Sequence, residues 1–396
     1  MKLTYKNTIT SCFTGYIVQA IVNNFVPLLF LFFQTTYHIP LDKITLLVTF
    51  NFGVQLLTDL LASRYVDKIG YRASIVLAHV FSALGLLLLT ILPELMNPFR
   101  GLLIAVMVYA IGGGLLEVLV SPIMESCPTS NKESAMSLLH SFYCWGHVGV
   151  VLLSTLFFYL FGIKNWKILV CIWSLLPIAN AFIFLKTPIA PLLEDNEEEI
   201  PFHKLCMTKT FWILILMMLC SGASEHSVAQ WASSFAEAGL GISKTAGDLA
   251  GPMTFAILMG TSRALYGKFA DKINLKKFML ISSLLCIISY LLTALTSNPV
   301  LSLMGCALTG LSVGIMWPGT FSTAAGSLKK GGTTLFALLA LAGDLGCSTG
   351  PTLVGFVANT TGGRLQNGIL TAVIFPLILT LCILYEKSDN SSKTPT

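Results

Sequence analysis

The stretch RYVDKIGYR occupies residues 64–72, and a related stretch, KFADKINLKK, occupies residues 268–277. Each places an Asp-Lys pair among further cations, directly after a long apolar segment. The two copies lie half a chain apart in a protein of 396 residues. Weak internal symmetry of this kind is typical of proteins built from two structural repeats. The repeat therefore predicts two equivalent halves.

The composition identifies the solvent around these halves. Hydrophobic residues make up 55% of the chain and charged residues 11%, with a mean hydropathy of +0.78. Soluble domains carry about 25% charged residues. The chain therefore lacks the polar surface of a soluble enzyme, a disordered protein or a nucleic-acid binder, despite its net charge of +5. The ten scattered cysteines indicate small buried residues, so we expect no disulfide framework, metal site or cofactor.

Twelve apolar stretches are long enough to cross a bilayer, which takes about 20 residues. They lie at 8–34, 43–65, 73–93, 99–123, 134–162, 166–185, 210–238, 245–269, 276–296, 300–327, 332–359 and 365–385. The longest break carries an acidic run and is predicted to be a solvated linker. We therefore predict an all-α membrane protein with two pseudo-symmetric six-helix bundles, 1–185 and 210–396, around a central cavity, joined by a cytoplasmic linker at 186–209.

The distribution of cations predicts the orientation. If both termini are cytoplasmic, seventeen of the 24 Lys and Arg residues lie on that side, six lie opposite and Arg263 lies inside a span. Cytoplasmic loops carry an excess of such residues. We therefore expect a multi-pass protein of the plasma membrane with both termini in the cytoplasm.

Further matches extend the repeat. WGHVG at 145–149 aligns with AGDLG at 342–346, and Ser121-Pro122 aligns with Trp317-Pro318. Two parallel six-helix units with an Asp-Lys-x-Gly-x-Arg turn after span 2 resemble the major facilitator superfamily. The resemblance implies a secondary transporter that works by alternating access, not an enzyme. No Gly-x-x-x-x-Gly-Lys signature is present, so a gradient is expected to supply the energy.

A narrower resemblance suggests the solute. GGGLLEVLVSP at 112–122 and LHSFYCWG at 139–146 are similar to helices 4 and 5 of the fucose:proton symporter family. That similarity implies symport of a sugar with protons. Span 1 departs from the family because it carries Gln19, Asn23 and Asn24 where an acidic residue is expected.

Ionisable residues inside the spans are expected to carry the function, because a charge at the bilayer centre costs about 2.5 kcal/mol or more. They are Asp59, Glu117, His140, His147, Glu225, His226, Arg263 and Asp344. Glu117 follows three glycines and is predicted to exchange a proton with the cavity and to bind the solute. A carboxyl removed from water favours its neutral form. The alternative is a structural hydrogen bond to a neighbouring helix.

His147 and Asp344 occupy equivalent positions in the repeat. They are predicted to face each other across the cavity as a protonation switch, since imidazole titrates near neutral pH. Alternatively, each is satisfied separately by backbone or water. Glu225 is predicted to line the cavity, whereas its neighbour His226 points about 100° away around the helix.

Asp59 and Arg263 lie eight residues before Asp67 and Asp271, respectively, about 12 Å inside the cytoplasmic ends of their spans. This placement, with opposite charges, predicts a gate between the halves or a structural ion pair. Asp67, Asp271 and Arg72 are predicted to brace the inner gate.

Aromatic and amide side chains complete the predicted solute site, because ring faces stack on sugars and hydroxyl groups need fixed partners. These residues are Asn24, His140, Tyr143, Trp145, Gln230, Trp231 and Trp317. The expected partners are a small polar solute, protons and lipid, with the chain acting as a monomer.

Two rival functions remain open. One is proton-coupled export of drugs or metabolites, which the absence of a Gly-Pro pair in span 5 disfavours. The other is a membrane sensor without transport activity, which the cost of intramembrane acids disfavours.

Overall fold

The computed structural model describes residues 3–128, 132–189, 202–269, 273–328 and 332–386. Over these ranges the chain is helical almost throughout and contains no strand. The twelve long helical segments are α1 (Tyr5–Thr36), α2 (Leu41–Ile69), α3 (Tyr71–Leu95), α4 (Pro98–Ser126), α5 (Lys132–Phe161), α6 (Trp166–Phe184), α7 (Lys209–Gly239), α8 (244–269), α9 (Leu275–Leu295), α10 (299–327), α11 (Gly332–Thr360) and α12 (Leu365–Tyr385). The predicted all-α class is confirmed, and every predicted span falls on one of these helices.

Ten of the described helices are long and apolar enough to cross a membrane. The other two, α8 and α11, carry Asp248, Arg263 and Asp344. A short helix, Phe202–Cys206, precedes α7. Much of the predicted linker, 190–201, lies outside the described residues, so the domain boundaries stay a prediction.

Five helices are interrupted within their length. A 3₁₀ turn at Val26–Leu29, which contains a proline, breaks α1. Helix α7 is broken after Ala229, and a π turn interrupts α8. Helix α10 is broken after Val313, and α12 is broken after Thr371. Such breaks leave main-chain carbonyls without a helical partner. In α1 the carbonyl of Asn23 accepts from the Gln230 side chain instead, so the breaks place polar backbone inside the bundle.

Glycines bring neighbouring helices into direct contact within each half. A Cβ atom at Gly85 of α3 would collide with the backbone of Tyr109 in α4. At the equivalent pair in the second half, a Cβ at Gly305 of α10 would collide with Thr293 of α9. Small residues at such crossings allow the close packing by which membrane helices associate. The repeat in the sequence therefore recurs in the packing.

The two halves meet at the end of the bundle opposite the chain termini. The Oγ1 atoms of Thr49 in α2 and Thr352 in α11 lie 2.5 Å apart. The Phe30 and Trp231 rings lie 5.4 Å apart, which joins α1 to α7. These contacts close that end, which we call the sealed end, and leave a cavity nearer the middle of the bundle.

Candidate functional site

A cavity of about 90 Å³ lies between the halves. Over the described residues it is lined by four helices of the first half (α1, α2, α4, α5) and four of the second (α7, α8, α10, α11). The lining residues are Tyr16, Gln19, Asn23, Phe52, Glu117, His140, Tyr143, Glu225, His226, Arg263, Trp317, Asp344 and Cys347. The predicted central cavity is thus built from equivalent helices of both repeats.

Three acidic side chains meet at the edge of this cavity. Asp59, Glu117 and Asp344 each present one carboxyl oxygen, and these three atoms all lie within 4.8 Å of one another. Asp59 and Glu117 belong to the first half and Asp344 to the second, so the group joins the halves. We call these three residues the acid cluster. Among the described residues it is the one set of Asp, Glu, His and Cys side chains whose spacing would suit a bound cation.

Glycine and glutamine hold the acid cluster in place. A Cβ atom at Gly114 would lie 3.0 Å from Oδ1 of Asp59, so the absence of a side chain there lets Asp59 approach α4. Gln19 of α1 donates from Nε2 to Oε2 of Glu117 at 2.8 Å. Both Asp59 oxygens and Oδ2 of Asp344 are buried and receive no hydrogen bond from the described residues.

A second ionic group lies on the other side of the cavity. Arg263 of α8 approaches Glu225 of α7, with Nη2 and Oε2 separated by 3.4 Å. It also donates from Nη1 to the Cys144 sulfur of α5 at 3.3 Å, and this contact crosses between the halves. Of the two predicted roles of Asp59 and Arg263, an ion pair between them is not observed among the described residues, and a gating role stays a prediction. Helix α2 packs on α11 and α8 packs on α5, so equivalent residues of α2 and α8 lie on opposite sides of the molecule.

The predicted contact between His147 and Asp344 is not observed among the described residues. Asp344 belongs to the acid cluster, which does not include His147, and His147 does not line the cavity. Both predicted residues are buried, with 3% and 5% of their surfaces exposed, so neither faces lipid. Helix α11 packs on α7 and α2, whereas α5 packs on α1 and α8, which keeps the two side chains apart.

Both members of the Glu225-His226 pair line the cavity, although the helical angle between them predicted only one. The His226 ring meets Phe52 edge-on, with ring centres 4.8 Å apart. His140 also lines the cavity, beside Tyr16 at 5.3 Å. The cavity is therefore wide enough around α7 to contact two faces of that helix.

The other predicted solute-site residues separate into two groups. Trp317 and Tyr143 line the cavity, and the Tyr143 hydroxyl accepts from Asn24 at 3.3 Å. Trp145 is half exposed, and Trp231 is fully buried with its Nε1 donating to the Pro351 carbonyl. Neither of these two lines the cavity, so the predicted aromatic platform reduces to Trp317 and tyrosines.

The remaining predicted residues lie outside the cavity. Gln230 is buried and caps the α1 break. Arg72 donates from Nη1 to the carbonyls of Phe184 and Leu185, which ties the α2–α3 turn to the end of α6. The Asp67 side chain and Asp271 lie outside the described residues, so their gating role stays a prediction.

One further acid is buried within a predicted span and was not among the predicted site residues. Oδ1 of Asp248, in α8, accepts from Lys244 at 2.9 Å and from Ser233 at 2.5 Å. Its Oδ2 accepts from Thr155 of α5 at 3.3 Å, across the two halves. Asp248 is only 1% exposed. The Lys-Asp spacing of four residues, in a chain with few charges, was the available signal.

Comparison with known proteins decides the family. Residues 11–351 and 249–395 match the profile of the Major Facilitator Superfamily. The chain belongs to the major facilitator superfamily. No curated protein matches the chain at significance.

Solved structures of this superfamily share the fold. The D-xylose–proton symporter superposes with a TM-score of 0.76 at 14% identity, covering 96% of this chain and 95% of its own. A bacterial homologue of the human lysosomal transporter Spinster gives 0.75 at 14% identity and 95% of both chains. The Escherichia coli fucose:proton symporter gives 0.68 at 16% identity, with 97% and 99% coverage. These likenesses confirm the twelve-helix, two-domain fold of this superfamily transporter.

Proposed function

We propose that this transporter carries a small polar organic solute, with a sugar as the first hypothesis, by symport with protons. We further propose that it works as a monomer in the plasma membrane with cytoplasmic termini. The acid cluster is the observation that supports proton coupling, because it joins two residues of one half to one residue of the other. Any movement that separates the halves at this level must pull Asp344 away from Asp59 and Glu117.

Electrostatics link the closed cluster to bound protons. Two ionised carboxyls 4.8 Å apart repel by about 3.5 kcal/mol at an effective dielectric constant of about 20. Three such charges cannot share this buried site unless protons neutralise part of them. When the halves separate, water solvates each carboxyl and the repulsion falls. Protons therefore favour the conformation in which the cluster is closed, which is the linkage that a proton-driven transporter requires.

The cavity lining supports a small hydroxyl-bearing solute. Gln19, Asn23 and His140 provide hydrogen-bond donors and acceptors, while Trp317 offers an aromatic face. The volume of about 90 Å³ is well below the roughly 300–1,000 Å³ of sites for drug-sized ligands. In this conformation the cavity favours a compact solute over a drug. The D-xylose and fucose symporters among the fold neighbours agree with this proposal.

One observation favours a second candidate, the exchange of an organic cation for protons. Four carboxyl groups (Asp59, Glu117, Glu225 and Asp344) lie in or beside the cavity, against one arginine, Arg263. A bound cation would replace protons on the acid cluster directly. Symport and exchange move protons in opposite directions, so one measurement separates them.

The test uses purified protein in proteoliposomes with a pH-sensitive dye outside. Neutral sugars, amino acids and organic cations are added in turn without an imposed gradient. Symport predicts external alkalinisation with a sugar, whereas cation exchange predicts external acidification. Uptake that follows a sodium gradient and ignores pH would contradict proton coupling. Glu94→Gln is the matched control, because Glu94 is an exposed acid that binds Lys167 at 2.6 Å away from the cavity.

A further inference from the structure

We propose that Arg263 and Glu225 recognise the solute together, and that the pair selects an uncharged solute with adjacent hydroxyl groups over acids and amines of the same shape. This inference rests on the proposed transport of a small polar solute. The sequence alone placed Arg263 in a gate or a structural ion pair, outside the predicted solute site.

Arg263 keeps hydrogen-bonding capacity for a ligand. Its Nε donates to the Gly314 carbonyl at 3.2 Å, and its Nη1 and Nη2 donate to Cys144 and Glu225 at 3.3 and 3.4 Å. A guanidinium group has five N–H donors, so two remain unused by the described residues. The 3.4 Å distance to Glu225 is long for a charged pair, whose usual separation is about 2.7–2.9 Å. A solute oxygen can therefore enter beside the pair without first breaking a strong bond.

Glu225 supplies the complementary acceptor. Its Oε2 faces Arg263, whereas its Oε1 accepts no hydrogen bond from the part of the chain that the structure describes. Both side chains line the cavity, and both are largely shielded from bulk solvent, with 17% and 8% of their surfaces exposed. The cavity wall thus presents free donors next to a free acceptor. Two neighbouring hydroxyl groups match this arrangement, since one accepts from Arg263 while the other donates to Glu225.

The charges of the pair balance each other, and this balance selects against ionic solutes. A carboxylate bound to Arg263 would sit beside Glu225 and deprive it of its counter-ion. An ammonium group bound to Glu225 would do the same to Arg263. A buried charge that loses its partner is strongly unfavourable. A hydroxyl-bearing solute adds hydrogen bonds to both groups and leaves the pair intact.

Trp317 provides a fixed surface for the apolar side of such a solute. Its indole packs directly over Gly343, where a Cβ atom would collide with the ring. The indole also contacts Phe321 edge-on at 6.3 Å, and it lines the same cavity as the pair. An aromatic face held in one orientation suits the carbon face of a ring that carries its hydroxyls at the edge.

The experiment compares uncharged and charged sugars of one shape on the detergent-purified full chain. Binding is followed by tryptophan fluorescence and checked by calorimetry. The neutral probes are D-glucose, D-galactose, D-xylose and L-fucose, and the charged probes are glucuronate, galacturonate, glucosamine and galactosamine. We expect at least one neutral hexose to bind roughly tenfold or more tightly than its uronate and its amino sugar. The reason is that a charged probe takes Arg263 or Glu225 away from its partner, which loses a hydrogen bond between charged groups.

Substitutions should change the charge preference in opposite directions. Glu225→Gln leaves Arg263 unbalanced and should move the preference toward the uronate by roughly tenfold or more, whereas Arg263→Gln should move it toward the amino sugar. The double substitution restores charge balance and should restore the preference for the neutral sugar. Thermal melting of each variant identifies any that fail to fold, and the double variant then tests the inference by itself.

Several outcomes would overturn this inference. One is a wild-type protein that prefers a charged probe or binds none of the eight. Another is a set of single variants that weaken all probes by one factor, which would show a structural role for the pair. Proton movement with a charged solute would refute the inference and leave proton coupling intact. Selective binding of a neutral sugar without any proton movement would refute proton coupling and leave the pair's role intact.

Discussion

Substitution of Glu117 by glutamine isolates proton coupling from solute binding. The new side chain has the same shape and keeps a carbonyl oxygen that can accept a hydrogen bond from Gln19. In the wild-type structure, Nε2 of Gln19 lies 2.8 Å from Oε2 of Glu117. That hydrogen bond contributes about 0.5–1.5 kcal/mol and is expected to survive. The amide cannot ionise, so the variant loses one of the three charges whose repulsion opens the acid cluster.

The size of the effect follows from the spacing of the cluster. Glu117 faces two carboxyl groups, Asp59 and Asp344, and each of them, when ionised, repels its charge by about 3.5 kcal/mol at an effective dielectric constant of about 20. With one of the two protonated, the substitution therefore removes about 3.5 kcal/mol of repulsion. Since about 1.4 kcal/mol is a factor of ten, closure without a proton at position 117 becomes roughly 300-fold more favourable. The transporter can then return or exchange solute without binding that proton. The wild-type protein should lose exchange activity as rising pH ionises the cluster, whereas the variant should respond less.

The assay measures two activities in the same proteoliposomes. Glu117→Gln should abolish uphill accumulation driven by a pH gradient, with inside and outside solute concentrations equal at steady state. Counterflow exchange should persist, because it needs no net proton movement. Solute affinity should stay within about threefold of wild type, which corresponds to a smaller free-energy change than the loss of a typical hydrogen bond. Glu94→Gln should retain both activities. Accumulation by Glu117→Gln at the wild-type rate would refute the assignment, and Asp344 and Glu225 would then be tested in the same assay.

Three further predictions concern gating and packing. Thr155→Val removes the hydrogen bond to Asp248 across the sealed end, which contributes about 1 kcal/mol. In a background with no other cysteine, alkylation of Cys347 from that side should therefore become about fivefold faster. An unchanged rate would show that this contact does not hold the halves together. Asp67→Asn should slow turnover while solute affinity stays nearly intact, and an equal loss of both in transport kinetics would identify a binding residue instead. Gly346→Ala adds a methyl group against the α7 backbone and should destabilise the protein by about 1–3 kcal/mol, seen as a lower melting temperature in detergent, and an unchanged melting temperature would show that this crossing relaxes freely.

The sequence by itself determined the helices, their number and the superfamily. Inside a bilayer every backbone polar group must be satisfied within the protein, so an apolar stretch of sufficient length has to form a helix. The repeated turns at 64–72 and 268–277 revealed the two halves, and the cost of intramembrane charge marked Glu117, Glu225 and Asp344 as cavity residues. These properties depend on local composition, which a single sequence displays in full.

Only the tertiary structure decided which of these residues meet. Helical periodicity places a side chain on one face of its own helix, but the rotation of that helix against its neighbours depends on packing with distant parts of the chain. Asp59 joins Glu117 because Gly114 lets α2 approach α4, and it joins Asp344 because α2 packs on α11. The same packing separates His147 from Asp344. Equivalent positions in a repeat are related by symmetry, and symmetry alone does not make them neighbours.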